Sequence, residues 1–148
     1  MTDEANKSAE AQKLEDAVED RDVAWTRRML QDPLTYAIIG AAQKVHAALG
    51  PGFTESTYQA ALCKELMLRD IPFQSQPEYE VFYQKTLCGV FRPDMVVYGQ
   101  VVVELKAVSS LSKEHRAQTI SYLRASELPT GLLINFGAAS LEVKRFKN

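Results

Sequence analysis

A chain of 148 residues, 46% hydrophobic and 24% charged, has room for one ordinary core and is not generally disordered. No apolar run approaches the ~20 residues of a membrane helix, and the polar, acidic stretch Met1–Lys13 is not a secretory signal. Cys63 and Cys88 have neither metal-site nor disulfide-framework spacing, so the expectation is a cytoplasmic protein with reduced thiols. The net charge of −2 conceals an asymmetry. Residues 1–22 hold eight acids against three bases, a net of −5, which leaves residues 23–148 with 14 bases and 11 acids, a net of +3. That positive balance suits a polyanionic partner without requiring one.

Residues 1–31 read as an acidic N-terminal extension outside the main domain, which spans 32–148. Ala9 to Leu30 lacks Gly and Pro, and Leu14, Val18, Trp25 and Met29 recur at roughly helical spacing, so the extension is expected to be helical. Its thin stripe fits a solvated helix or a docking arm. Asp32-Pro33 then caps and opens a helix with an apolar stripe of Leu34, Ile38, Ala41, Ala42, Val45 and Leu49. Gly50-Pro51-Gly52 ends it. Thr54 is the expected N-cap of a second helix, with Phe53 and Tyr58 as its hydrophobic staple, running to the Asp70-Ile71-Pro72 break.

From Glu78 the period becomes alternating. Strands are expected at Tyr79–Tyr83, Gly89–Val97 and Val101–Val108, the last two joined by a tight turn at Tyr98-Gly99-Gln100. Ser109–Ser112 opens a helix to about Ser126 with His115, Gln118 and Tyr122 on one face. After Pro129-Thr130-Gly131 come two more strands, at Leu132–Ile134 and Leu141–Phe146. The order is helix, helix, three strands, helix, two strands.

Polar groups stand in these strands where packing does not require them. In Val101–Ala107, Glu104 and Lys106 are two residues apart and so share a face, with ~6–7 Å between their Cα atoms. A turn centred on Gly99 makes Asp94 a near cross-strand neighbour of Glu104. Two carboxylates and an ammonium then converge, and like charges side by side cost energy unless a cation separates them. Hard oxygen ligands with open positions suit Mg²⁺ or Mn²⁺, and a neighbouring lysine can stabilise developing negative charge. A solvent-facing Glu-Lys pair on a strand is the plainer alternative, as is a first-turn helix acid for Glu55. Gln118 and Tyr122, one turn apart, are as common on ordinary helix surfaces.

The segments Val45-His46, Leu49-Gly50-Pro51-Gly52-Phe53-Thr54-Glu55-Ser56-Thr57-Tyr58, Phe91-Arg92-Pro93-Asp94, Val103-Glu104-Leu105-Lys106-Ala107, Gln118 with Ser121-Tyr122-Leu123, and Gly131–Gly137 resemble, in this order, the pattern of the GxxExxY protein family. The resemblance covers about residues 34–146 and places the chain with the PD-(D/E)xK nucleases. It implies an α/β, restriction-endonuclease-like core, a mixed β-sheet flanked by helices. By position, Glu55 matches the helix glutamate, Asp94 the aspartate of the Pro-Asp motif, Glu104 and Lys106 the acid and lysine of the final motif, and Gln118 a supporting helix glutamine. The implied chemistry is metal-dependent phosphodiester hydrolysis of nucleic acid, with DNA favoured by superfamily analogy. In that reading Asp94, Glu104 and the Leu105 carbonyl ligate Mg²⁺ or Mn²⁺, Glu55 assists directly or through water, and Lys106 orients the attacking water.

The rival expectation is a non-cleaving nucleic-acid-binding or regulatory module on the same fold. Another is an interaction protein acting through its acidic extension. Since both strands of a duplex must be cut, a small one-site domain is also expected to pair as a homodimer.

Overall fold

The computed structural model describes residues 32–148, so the expected helix at Ala9–Leu30 lies outside the described residues. Residues 38–148 form one compact unit, and residues 32–37 fall outside it. Helix α1 is Pro33–Leu49, capped by Asp32, whose carboxylate accepts from the Thr35 amide at 3.2 Å and the Thr35 hydroxyl at 2.7 Å. Helix α2 is Glu55–Leu68, with Thr54 as its N-cap residue but with no side-chain cap bond. The Phe53–Tyr58 contact is present, the rings meeting edge to face at 6.1 Å.

Seven strands follow: β1 Phe73–Ser75, β2 Tyr79–Tyr83, β3 Thr86–Phe91, β4 Met95–Val97, β5 Val101–Lys106, β6 Thr130–Asn135 and β7 Glu142–Lys147; helix α3, Lys113–Ser126, joins β5 to β6. Five of them form one mixed sheet in the order β1-β4-β5-β6-β7, and β2-β3 form a separate hairpin. The α/β class with a mixed sheet flanked by helices is therefore as the sequence led us to expect. Only β5-β6 is parallel, because α3 carries the chain back between them; all other pairs are antiparallel.

One expected strand is corrected. Gly89–Val97 is not continuous: it breaks at Arg92-Pro93-Asp94, its first part pairing with β2 and its second with β1 and β5. Proline has a fixed φ and no amide to donate, which suits the point where a chain leaves one sheet for another. The expected Val101–Val108 strand stops at Lys106, and the three-residue β1 has no alternating signature from which to expect it.

Central β5 is flanked by β4 and β6, and Val101 through Leu105 are all buried. Val102 packs with Val96 and with Leu123 of α3, while Lys106 reaches Gln118 of the same helix. Residues 102, 104 and 106 thus share the face turned to α3. On α3, Ser112 and His115 form a reciprocal capping box, so the His115 ring turns back into the cap. Both cysteines are free, and among the described residues no helix is long and apolar enough to cross a membrane.

Candidate metal-dependent active site

The β4-β5 register pairs Met95 with Val103, Val96 with Val102 and Val97 with Val101, which continued by one step sets Asp94 opposite Glu104. The two carboxylates are tied reciprocally. Glu104 Oε1 accepts from the Asp94 amide at 2.9 Å, and Asp94 Oδ2 accepts from the Leu105 amide at 2.7 Å. Each acid is thereby anchored through one oxygen, and its second oxygen has no hydrogen-bond partner among the described residues.

Asp94 is held at its other polar atom as well. Its carbonyl accepts from the Gln76 amide, at 3.0 Å, and from Gln59 Nε2, also at 3.0 Å. Gln59 lies one turn beyond Glu55 on α2, so the bond ties the helix carrying Glu55 to the bend carrying Asp94. The sequence reading missed Gln59; its signal was a polar residue one turn after the helix acid.

Glu104 is only 4% exposed. Burial, and next the Asp94 charge, push its carboxyl up to about 8, against the pull of the Asp94 amide and the Lys106 ammonium. Burial also raises Asp94; the Leu105 amide opposes this, Glu55 adds to it and Lys106 opposes it. A buried acid beside a half-buried one is raised in this way, because each disfavours the charged form of the other.

Lys106 is half-buried at the end of β5, and its ammonium donates to Gln118 Oε1 at 3.4 Å. Gln118 donates in turn to the Tyr122 hydroxyl at 3.3 Å. Beyond Lys106 the chain is clamped by buried Asn135. Its Oδ1 accepts from the Val108 and Gly137 amides, each at 3.0 Å, and its Nδ2 donates to the Val108 carbonyl at 2.9 Å. Gly137 has no room for a side chain, since a Cβ would stand 2.4 Å from the Val108 nitrogen. The polar end of an otherwise apolar β6 signalled this clamp, but its partner could not be read from the sequence.

Glu55 opens α2 and is exposed. Its charge reaches both Asp94 and Glu104, yet among the described residues no three His, Cys, Asp or Glu side chains group closely enough to hold a metal by themselves. The structure thus brings Asp94, Glu104, Leu105, Lys106 and Gln118 together and leaves Glu55 at longer range. Tyr58, three residues on, is structural: fully buried, it stacks on Phe136 at 4.7 Å and donates to the Gly50 carbonyl at 2.5 Å. It also accepts from the Phe53 amide at 3.2 Å, shaping the loop that delivers Glu55.

Two carboxylates, each with one untethered oxygen, do not make a closed cage of the kind structural zinc requires. They do fit Mg²⁺ or Mn²⁺, which take one or two carboxylates and keep several waters. The family model of the PD-(D/E)XK nuclease superfamily matches residues 32–146. No curated protein and no solved structure matches the chain.

Proposed function

The chain belongs to the PD-(D/E)XK nuclease superfamily, and from that premise we propose that it hydrolyses phosphodiester bonds in DNA with Mg²⁺ or Mn²⁺. The observation that carries the reading is the Asp94–Glu104 pair: two acids crowded at the end of a buried hairpin, each with a free oxygen, beside an ammonium. Asp94, Glu104 and the Leu105 carbonyl would hold the cation, and Glu55 would contribute through water. The cation would supply Lewis acidity toward a phosphoryl oxygen and acidify water.

The chain's own groups do the rest. Glu104 would release to solvent the proton that burial favours, and its carboxylate would then be able to hold the cation. Lys106 orients the attacking water and donates to the negative charge that develops as the water oxygen bonds to phosphorus, its proton passing to solvent, and the P–O bond to the leaving sugar breaks, the sugar oxygen taking a proton from solvent. Gln118 restrains the ammonium, and the Asn135 clamp fixes the backbone just behind it. Breaking both strands of a duplex calls for two such sites, and we propose that a homodimer supplies them.

The test is incubation with plasmid, linear, branched and single-stranded DNA, and with RNA, in Mg²⁺ or Mn²⁺ against a chelator. Metal-dependent cleavage of DNA is the expected result. Tight binding without cleavage under any metal would replace the reading with a non-cleaving binding module. Sedimentation showing only monomers, with and without DNA, would remove the dimer.

A further inference from the structure

The β2-β3 hairpin does not behave like the rest of the fold. It belongs to no larger sheet, and Val81, Phe82, Tyr83, Leu87 and Val90 are all exposed, Phe82 by 58% and Tyr83 by 68%. Two strands alone are marginal in water, and this many apolar side chains on one projection call for something that covers them. The tip is narrow and stiff. Tyr83 pairs with Thr86, so the loop is only Gln84-Lys85, and both have positive φ, 47° and 66°. Such a two-residue turn normally uses Asn or Gly, so the strain of Gln and Lys here is tolerated for another reason.

The base of the hairpin is fixed beside the acids. Tyr79 stacks on Phe91 at 5.4 Å and Phe91 on Tyr122 at 4.5 Å, and Tyr122 is bonded to Gln118, the partner of Lys106. Strand β3 also runs directly through Arg92-Pro93 into Asp94. A polymer held at the acids therefore lies next to this hairpin.

From this geometry we infer that the hairpin is a stacking surface for unpaired bases, so that the substrate carries single-stranded or splayed nucleotides. The inference rests on the nuclease reading for its polymer and adds the class of nucleic acid. As strand neighbours, Phe82 and Tyr83 project to opposite faces of the hairpin, so each side of the tip offers a ring to bases of any sequence, as a wedge between splayed nucleotides would, and Lys85 in the turn supplies a cation for the backbone. A second copy pairing along the hairpin edge is disfavoured, because the register shift at Val81/Phe82 interrupts the ladder that an added strand would extend.

The experiment uses the full chain in chelator with a fluorescent thymidine oligonucleotide and a blunt duplex of the same length. Wild type should bind the single strand the more tightly. Phe82→Ala with Tyr83→Ala should weaken that binding by roughly 5- to 100-fold per lost stack, with little change for the duplex. Phe82→Trp should retain single-strand affinity, and its added fluorescence should be quenched on binding. Both sites are exposed, and matching melts for the variants check folding. Equal losses on both DNAs, no loss, or a shift from dimer to monomer with DNA binding unchanged would each overturn the inference, the last assigning the surface to a second copy. Hydrolysis of bis(p-nitrophenyl) phosphate with Mn²⁺ separates the two readings. Its absence in wild type sinks the nuclease, whereas undiminished single-strand binding by the double variant sinks the stacking surface alone.

Discussion

Two hairpins of this chain stand in opposite surroundings. In β4-β5, apolar strands buried on both faces hold Glu104 out of water and leave Asp94 half-buried, and that burial, more than any neighbour, sets the acidity of Glu104. In β2-β3, the base packs on Tyr122 through Phe91, but the outer part has no covering layer and leaves Phe82 and Tyr83 in solvent. The covered pair is built of Met, Val and Leu around Glu104 and Lys106, the other mixes Tyr and Phe with Glu, Thr, Cys and Gly, and the number of covering layers differs with it. A strand covered on both sides converts polar residues into perturbed chemistry, while one left bare converts apolar residues into a contact surface.

The sharpest way to break this contrast is to open the covered side. Asn135→Leu leaves the half-buried Val108 amide and carbonyl and Gly137 amide without their partner, where a fully buried group so orphaned would cost ~1–3 kcal/mol. Denaturant melts should show a loss of ~1–3 kcal/mol. An unchanged midpoint would mean the clamp behind Lys106 is not tight.

Next comes the ammonium. Lys106→Ala should reduce cleavage by ~10²–10³, equivalent to ~2.7–4 kcal/mol, with a normal melt because the side chain is half-exposed. Wild-type turnover in the purified variant would remove Lys106 from the chemistry.

The acids predict a pH slope in the metal-free protein. Glu104 has its carboxyl raised from 4.5 to about 8, so the folded state binds the proton more tightly than the unfolded state. That contribution is fully present below about 4.5 and is lost as pH rises through about 8. Raised Asp94 acts in the same direction. Stability should therefore fall with rising pH across that window by up to ~1.4 kcal/mol per unit. Glu104→Gln or added Mn²⁺ should flatten the slope; a wild-type slope of the opposite sign would show that burial does not govern Glu104.

Glu55 sharpens the comparison on a smaller scale. As a first-turn acid it contributes ~0.3–1 kcal/mol to its helix, and as a neighbour of the pair it strains the metal-free site by an opposing amount. Glu55→Gln should leave the metal-free melt unchanged or slightly higher while lowering Mn²⁺ affinity and cleavage. Full activity with the full metal-induced rise in melting temperature would reduce Glu55 to a helix-start acid. The smallest effect belongs to the bare hairpin: Leu87→Thr should change stability by no more than ~0.5 kcal/mol. A larger loss would show that the hairpin packs within the chain and is not a free surface.

Much of this could be read locally. The two-residue spacing of Glu104 and Lys106 and a turn at Gly99 are enough to put Asp94 opposite Glu104, because strand period and hairpin register are short-range geometry. The capping residue at Asp32 and the glycine-proline break after Leu49 are likewise written in neighbouring residues. Packing decided the rest. Only the packing of α3 over the central strand β5 makes Glu104 a buried acid, and only the split at Pro93 separates the covered hairpin from the one exposed at its tip. Gln59 meets the Asp94 carbonyl, and Asn135 meets Val108, across 35 and 27 residues of chain. No periodicity encodes such contacts, since they form only when separate elements pack together.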